Sequence, residues 1–340
     1  MEIVQTTFKP TLDLLQRALG SYVQDCQAEL IKTTLPWSQV YRVTLETIQG
    51  HSTRQSVILK AVNPEGPNDA RELHFYQELY PKLPIPKPHI YYLGSDSVSG
   101  WVVLILEDLL PAYSIPEHPH QWTRAELQSV LRGYAMLHSV QFLQPLQEHV
   151  WLNPRHETEL DFDAIPGQVA IVQDAGFWNA LPELPDLIDY ARQSCKRYED
   201  TALSLLHNDT TPTNAPLPRQ LDMEPAMLID WQDAGIGMAE MDLAYIDLQP
   251  FESGRLIPRP ELLSYYWQYR AESENEIPSL AEQTNRQLHA DLVMALWLTR
   301  PASGVALHPY PASTYPRMHW DSEFGILYNR LKELGREIHK

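Results

Sequence analysis

His207-Asn208-Asp209-Thr210-Thr211-Pro212-Thr213-Asn214, followed by Leu228-Ile229-Asp230-Trp231, is where polar, proton- and metal-handling side chains concentrate in this 340-residue chain. Leu203-Ser204-Leu205-Leu206 leads into the first group and Ala226-Met227-Leu228-Ile229 into the second. Each apolar run reads as a short buried strand ending abruptly in polar residues. Side chains at strand ends are held firmly yet face a cleft, as a reactive site requires. A His-x-Asp alone is a turn, since Asn, Asp, Thr and Pro are turn formers. Two strand-end clusters together point to a site.

The residue types suit transfer of a phosphoryl group from a magnesium-bound nucleotide. A transferring phosphoryl group spreads negative charge over its oxygens, so it must be positioned and neutralised. Mg2+ takes one or two carboxylates plus phosphate oxygens and waters. Asp230 and Asn214 would supply one charged and one neutral ligand. Asp209 would orient the acceptor hydroxyl and take its proton late, acting mainly through positioning.

The segment resembles the catalytic core of the aminoglycoside phosphotransferase and choline kinase group, relatives of the protein kinases. That group has a His-Gly-Asp loop, an Asn five residues later, then Ile-Asp-Trp and Asp-Leu-Ala. Here His207, Asp209, Asn214, Ile229-Asp230-Trp231 and Asp242-Leu243-Ala244 occur in that order. The resemblance implies that Asp209 is the catalytic Asp and that Asn214 and Asp230 bind magnesium. It also implies that Asp242 braces the loop and that His207 holds it without touching substrate. ATP and Mg2+ are the expected cofactors.

Upstream, Thr11 to Leu19 reads as a helix capped by Thr11 and closed by Gly20. Tyr41 to Thr47 alternates apolar and polar residues as a half-buried strand, and after a turn at Gln49-Gly50-His51-Ser52 the run Val57 to Val62 makes a second strand, predicting an antiparallel hairpin. Asp69 to Tyr80 reads as a helix with Leu73, Tyr76 and Tyr80 on one stripe. The proline connector Pro81 to Pro88 and two more strands, Ile90 to Leu93 and Trp101 to Leu106, follow. Strands with one inserted helix, then a mainly helical remainder, predict an α+β fold. Its small antiparallel-sheet lobe would cover residues 1–108 and its larger helical lobe residues 109–340. By resemblance this is the two-lobed protein-kinase-like fold.

Lys60 is a cation in an otherwise apolar strand. It could snorkel to solvent, and Glu72 could simply complete a capping box begun by Asp69. The family order of strand Lys and helix Glu implies instead a Lys60–Glu72 pair at the nucleotide phosphates. Leu104 to Leu109 resembles the family's hinge, which places Glu107 where backbone reads the adenine edge. Leu35-Pro36-Trp37-Ser38-Gln39-Val40-Tyr41 stands where the family often has a glycine-rich nucleotide loop, and it holds no glycine. Ser38 could donate to a phosphate, and Ser-x-Val-Tyr-Arg-Val resembles the ecdysteroid-kinase-like branch. Asn208 replaces the usual Gly but tolerates left-handed backbone, and Pro216 and Pro218 should interrupt a strand.

Thr123-Arg124-Ala125-Glu126 is a capping box, opening a helix with Leu127, Val130, Leu131, Tyr134, Leu137 and His138 on one face. His138 reads as a satisfied core histidine. Glu261 to Ala271 reads as an aromatic helix, and Phe324, Leu327, Tyr328, Leu331, Leu334 and Ile338 form the stripe of a final helix. The proline- and aromatic-rich stretch Arg300 to Trp320 reads as packing material rather than a cage for a cation.

Net charge is −18, which disfavours nucleic acid and anionic membranes as partners and suits a cationic small-molecule acceptor. Acidity also serves solubility alone. Cys26 and Cys195 cannot build a disulfide framework or a cysteine-rich zinc site, and fit a reducing compartment. Met1 to Gln5 lacks signal-peptide character and no apolar run approaches membrane-spanning length, so a cytoplasmic protein is expected. Two other readings compete with the kinase: a nucleotide-binding pseudokinase, which rests on the glycine-free loop, and a zinc metallohydrolase using His207 with the nearby carboxylates, to which His118-Pro119-His120 would add a further cluster. The acceptor's identity and the oligomeric state have no sequence signal.

Overall fold

The computed structural model describes residues 8–20, 22–34, 37–49, 51–64, 69–116, 122–142, 145–154, 156–220, 224–247, 258–273, 277–307 and 317–339. The chain begins with helix α1 (Leu12–Leu19), whose N-terminus is capped by the Thr11 hydroxyl accepting from Leu14 N–H, and ends at Gly20 with φ 117°. Three long strands follow: β1 (Val23–Thr34), β2 (Ser38–Gln49) and β3 (His51–Val62). With β4 (Ile90–Ser95) and β5 (Val102–Glu107) they form an antiparallel sheet of order β1-β2-β3-β5-β4. The expected hairpin is β2–β3, longer than predicted at both ends, with Gln49 opposite His51. Its tip at Gly50 lies outside the described residues. Strand β1 was not foreseen: its sequence, Val-Gln-Asp-Cys-Gln-Ala-Glu-Leu-Ile-Lys-Thr-Thr, lacks clean alternation because it is a largely exposed edge.

The period of two divides this sheet's faces. Tyr41, Val43, Leu45, Val57, Leu59, Ala61, Val103 and Ile105 pack with Phe8, Leu14 and Leu15 in one core. Val40, Arg42, Ile58, Lys60 and Leu106 point the other way, into a cleft.

Helix α2 (Asp69–His74) does not continue regularly to Tyr80 as predicted. It widens into a π-helical turn over Phe75–Leu79, with Tyr80 N–H donating to Phe75 O, and tightens to a 3-10 turn at Tyr80–Lys82. Pro81 has no N–H with which to extend the ladder. The widened turn buries Phe75, Tyr76, Leu79 and Tyr80 together, while Leu73 of the expected stripe is only half-buried.

After the short strand β6 (Tyr113–Ser114), helix α3 (Arg124–His138) opens with the capping box of Thr123 and Glu126 and buries its predicted stripe. It packs against the aromatic helix Arg259–Ala271. Between them come α4 (His156–Glu159), α5 (Ile165–Asp174), α6 (Leu184–Arg197), β7 (Ser204–Leu206), β8 (Leu217–Pro218), β9 (Gly235–Gly237) and α7 (Glu240–Asp247). The aromatic helix is α8, followed by α9 (Leu280–Trp297), α10 (Thr299–Leu307) and α11 (Arg317–Glu337). On α11, Phe324, Leu327, Leu331 and Leu334 are buried as predicted, with Tyr328 and Ile338 packed beside them. The proline-rich residues 308–316 lie outside the described set.

The two expected strands before the polar clusters differ in outcome. Leu203–Leu206 yields β7, paired with β9. Ala226 to Leu228 are buried and Ile229 half-buried, but the run is not a strand. Met227 N–H donates to Pro216 O and Ile229 N–H to Asn214 O, each at 2.9 to 3.0 Å. Pro216 and Pro218 have no N–H to return, so a full ladder cannot form. These few bonds still suffice to set Asp230 beside Asn214.

Candidate active site

A cleft of about 490 Å³ lies under the sheet, lined by side chains from β1, β2, β3, α2 and β5 and from segments 213–214 and 229–232. Ser38, Lys60, Glu72, Glu107, Asn214 and Asp230 all line it. Ser38 begins β2 opposite Thr34 and Val62, so it sits on a strand start and not in a loop. Leu35 and Pro36 are outside the described residues.

Lys60 is the junction of the site. Its Nζ lies 2.7 Å from Glu72 Oε2 and donates to Asp230 Oδ1 at 2.6 Å. All three side chains are mostly buried, at 11, 8 and 16% exposure for Lys60, Glu72 and Asp230. Burial alone would push Lys60 toward the neutral form, but the two carboxylates hold its pKa above the usual lysine range. Burial likewise pushes Asp230 up, yet Lys60 and then Lys32 bring its carboxyl down to about 2. Glu72 goes the other way: burial, with Asp230 and Asp233 nearby, outweighs Lys60 and raises it. One ammonium shared between two carboxylates serves Asp230 better than Glu72.

The backbone around Asp230 is shaped for this placement. Asp230 has φ 65°, in the left-handed region, and so does Asn208 at φ 64°. Trp231, fully buried, stacks on Phe75 of the π-helical turn at 4.2 Å between ring centroids. Arg71 of α2 donates to Gln232 O at 3.0 Å and Trp151 O at 2.9 Å. The helix that carries Glu72 is thus tied directly to the segment that carries Asp230.

Asp209 is not among the residues lining the cleft, but it meets it through Asn214, whose Nδ2 donates to Asp209 Oδ2 at 2.8 Å and to Asp209 O at 3.2 Å. Those bonds commit the amide nitrogen and turn the Asn214 amide oxygen toward other partners. The loop itself is braced from below. Asp242 accepts from His207 N–H and Asn208 N–H at 2.9 Å, and its Oδ2 lies 3.0 Å from His138 Nε2. Burial raises the Asp242 carboxyl, but these donors hold it below the usual carboxylate range. His207 has no exposed surface; its Nε2 bonds Ile229 O at 2.8 Å and its Nδ1 accepts from Asp209 N–H at 3.3 Å. Both ring nitrogens are committed, so His207 has no lone pair for zinc. His118 and His120 lie outside the described residues, and among those described no group of three or more His, Cys, Asp or Glu could hold a metal.

Glu107 ends β5. Its N–H donates to His89 O at 2.9 Å and its side chain accepts from His89 N–H at 3.1 Å. Both the N–H and the carboxylate of Glu107 are therefore engaged by the His89 backbone. Three further side chains at the site carried no sequence signal that singled them out. Lys32 of β1 lies 3.5 Å from Asp230 Oδ2, and Arg42 of β2 lies 3.1 Å from Asp108 Oδ2. Burial, then Asp209 and Asp230, raise the Asp233 carboxyl. Asp233 stands three residues after Asp230, and no pattern in the sequence marks it apart.

Residues 36–282 match the phosphotransferase enzyme family. The chain belongs to that family. No curated protein matches the sequence. Several solved phosphotransferase structures share the fold over nearly the whole chain. A candidate aminoglycoside phosphotransferase from Ralstonia eutropha JMP134 aligns with TM-score 0.64 at 13% identity, covering 96% of this chain and 97% of its own. Spectinomycin phosphotransferase, solved with ADP and spectinomycin, aligns with TM-score 0.56 at 13% identity and 96% coverage of both chains. A microcompartment-associated aminopropanol kinase aligns with TM-score 0.55 at 16% identity, covering 97% of this chain and 98% of its own. The architecture is thus the two-lobed, protein-kinase-like α+β fold, with a five-stranded antiparallel sheet followed by a mainly helical lobe.

Proposed function

We propose that this phosphotransferase moves the γ-phosphoryl group of ATP to a hydroxyl of a small molecule, with Mg2+, in the cleft between residues 1–108 and 109–340. The observation that carries the reading is the convergence on Lys60 of Glu72 and Asp230, from a helix and a segment far apart in sequence, beside the Asn214–Asp209 pair. The donor set fits a magnesium ion. Asp230 offers a carboxylate and Asn214 an amide oxygen, few and hard enough to leave places for phosphate oxygens and water. Bound there, the ion would neutralise charge on the phosphates.

The chain's own residues do the rest. Lys60, fixed by Glu72, presents a permanent positive charge to the phosphates, and Ser38 offers a hydroxyl donor at the sheet edge of the cleft. Backbone near Glu107 receives the base. Asp209 accepts a hydrogen bond from the acceptor hydroxyl and receives its proton as the new O–P bond forms and the bond to the leaving ADP breaks. The bond from Asn214 Nδ2 to its Oδ2, with a second to its backbone carbonyl, holds the carboxylate in one orientation, which is where most of its effect lies. Neighbours of this fold were crystallised with ADP and spectinomycin and with GDP and kanamycin, which supports a nucleotide and a small hydroxylated acceptor here.

The test is Mg2+-dependent release of ADP from ATP by the purified protein across a panel of amino alcohols, aminoglycosides, sugars and amino acids. Wild type should turn over at least one acceptor, and Asp209→Asn should lower kcat by roughly 10²- to 10⁴-fold with little change in the KM for ATP. Equal background rates for both proteins, with ATP still bound, would leave a nucleotide-binding module without catalysis.

A further inference from the structure

Strand β1 contributes two neighbouring residues, Ile31 and Lys32, to the lining of the cleft. A regular strand cannot do this, because successive side chains point to opposite faces. The pairing with β2 explains it: Leu30 lies opposite Tyr41 and Lys32 opposite Val40, so Ile31 is an extra residue, a β-bulge. Bulges bend a strand and re-aim its side chains, and they concentrate beside active sites. This one turns Lys32 inward, with its Nζ 3.5 Å from Asp230 Oδ2.

The cations of the cleft are not equivalent. Lys60 is held by two buried carboxylates and Arg42 by Asp108. Lys32 is 62% exposed and touches Asp230 at a loose 3.5 Å, a contact worth little in water. Its charge can be redirected at small cost. The stretch 33–41, which joins β1 to β2, holds no glycine, so close approach of backbone amides to a polyphosphate is not built into its sequence.

We infer that Lys32, aimed by the Ile31 bulge, is a side-chain clamp for the polyphosphate of the bound nucleotide, replacing backbone contacts that a glycine-rich loop would make. The inference rests on the nucleotide reading of this cleft. A divalent cation held by Asp230 would take that partner from Lys32, leaving the phosphate oxygens of a bound nucleotide as anionic acceptors for its ammonium. Lys32 is then a binding residue for the nucleotide's charged end and has no contact with its base.

Isothermal titration of full-length wild type, Lys32→Ala, Lys32→Arg and Lys196→Ala with ATP, ADP and adenosine in Mg2+ tests this. Lys196 is an exposed lysine on α6 outside the cleft, and controls for loss of one positive charge. Lys32→Ala should weaken ATP and ADP about 10- to 100-fold, the range of a charge-assisted hydrogen bond. Adenosine binding should stay as in wild type, Lys32→Arg should recover most of the ATP affinity, and Lys196→Ala should match wild type. If wild type binds ATP and Lys32→Ala binds it as tightly, or loses adenosine equally, the clamp is wrong and the phosphotransferase reading stands. If wild type binds neither ATP nor ADP, the underlying reading itself fails.

Discussion

Lys60 shows how burial turns an ordinary ion pair into a constraint on the whole site. Removing one partner of a buried ionic cluster leaves the others uncompensated, at a cost of about 3–5 kcal/mol. Lys60→Met should therefore lose about that much stability at pH 7, since Glu72 and Asp230 would remain as neighbouring carboxylates without their shared cation. The pH dependence has a definite sign. In wild type the Asp230 carboxyl sits down at about 2. Its contribution is present above the unfolded value of roughly 3.9 and lost as pH falls through about 2. In Lys60→Met the carboxyls should instead rise above their unfolded values, so the folded variant takes up protons more readily than the unfolded chain. The deficit should shrink on going from pH 7 to pH 5. Urea denaturation of both proteins at the two pH values measures this; a deficit that is constant or grows would refute it. Residue identity made Asp209, Asn214 and Asp230 readable as a group. That Lys60 bonds Asp230 as well as Glu72 was not readable, because the partners lie 170 positions apart and no local pattern links them.

Elements place these residues through a few close backbone contacts. Gly133 of α3 is one: a Cβ there would lie 2.8 Å from Ala226 O, a backbone atom that cannot swing aside. Ala226 begins the segment that ends at Asp230. Gly133→Ala should push that segment off α3, cost about 1–3 kcal/mol as overpacking does, and lower kcat by displacing Asp230. Gly167 of α5 provides the contrast, since a Cβ there meets nothing within 4 Å. Gly167→Ala should be neutral or stabilise by about 0.5–1 kcal/mol through helix propensity. Thermal melts and turnover of the pair check both; equal Tm changes would count against the steric account. Elements with strong periodicity, α11 by its stripe and α1 and α3 by explicit caps as well, were legible in sequence. The π-helical turn at Phe75–Leu79 was not, because it answers to packing against Trp231. Strand β1 was missed because an exposed edge needs little apolar alternation.

Across the whole molecule, one core runs through the cleft's floor. Phe75, Tyr76, Leu79 and Leu104 from the sheet side share it with Leu228, Trp231, α3 and α8. The relation of Lys60 to Asp230 is thereby set by packed aromatics as well as by charge. The net charge of −18 acts over a longer range. Such a field raises the local concentration of cations and is screened over about 10 Å at 0.1 M salt. If the acceptor is a cationic amino alcohol, its KM should rise as ionic strength increases from 20 to about 300 mM, while the KM of an uncharged acceptor stays nearly flat. Steady-state kinetics with a matched pair of acceptors would show it, and identical salt dependence would remove charge as a determinant of acceptor choice. Among the described residues no helix is long and apolar enough to cross a membrane.

Local physics carried the sequence a long way. Period-two and helical patterns, caps and proline positions were enough for an α+β chain with a sheet lobe ahead of a helical one, and the order of His207, Asp209, Asn214 and Asp230 was enough for its family. What folding alone decided is which charges meet: Lys60 with two carboxylates, Lys32 with Asp230, Asp242 with three donors under the loop. Electrostatic partners are chosen by distance and burial in three dimensions, and neither quantity leaves a periodic trace along a chain.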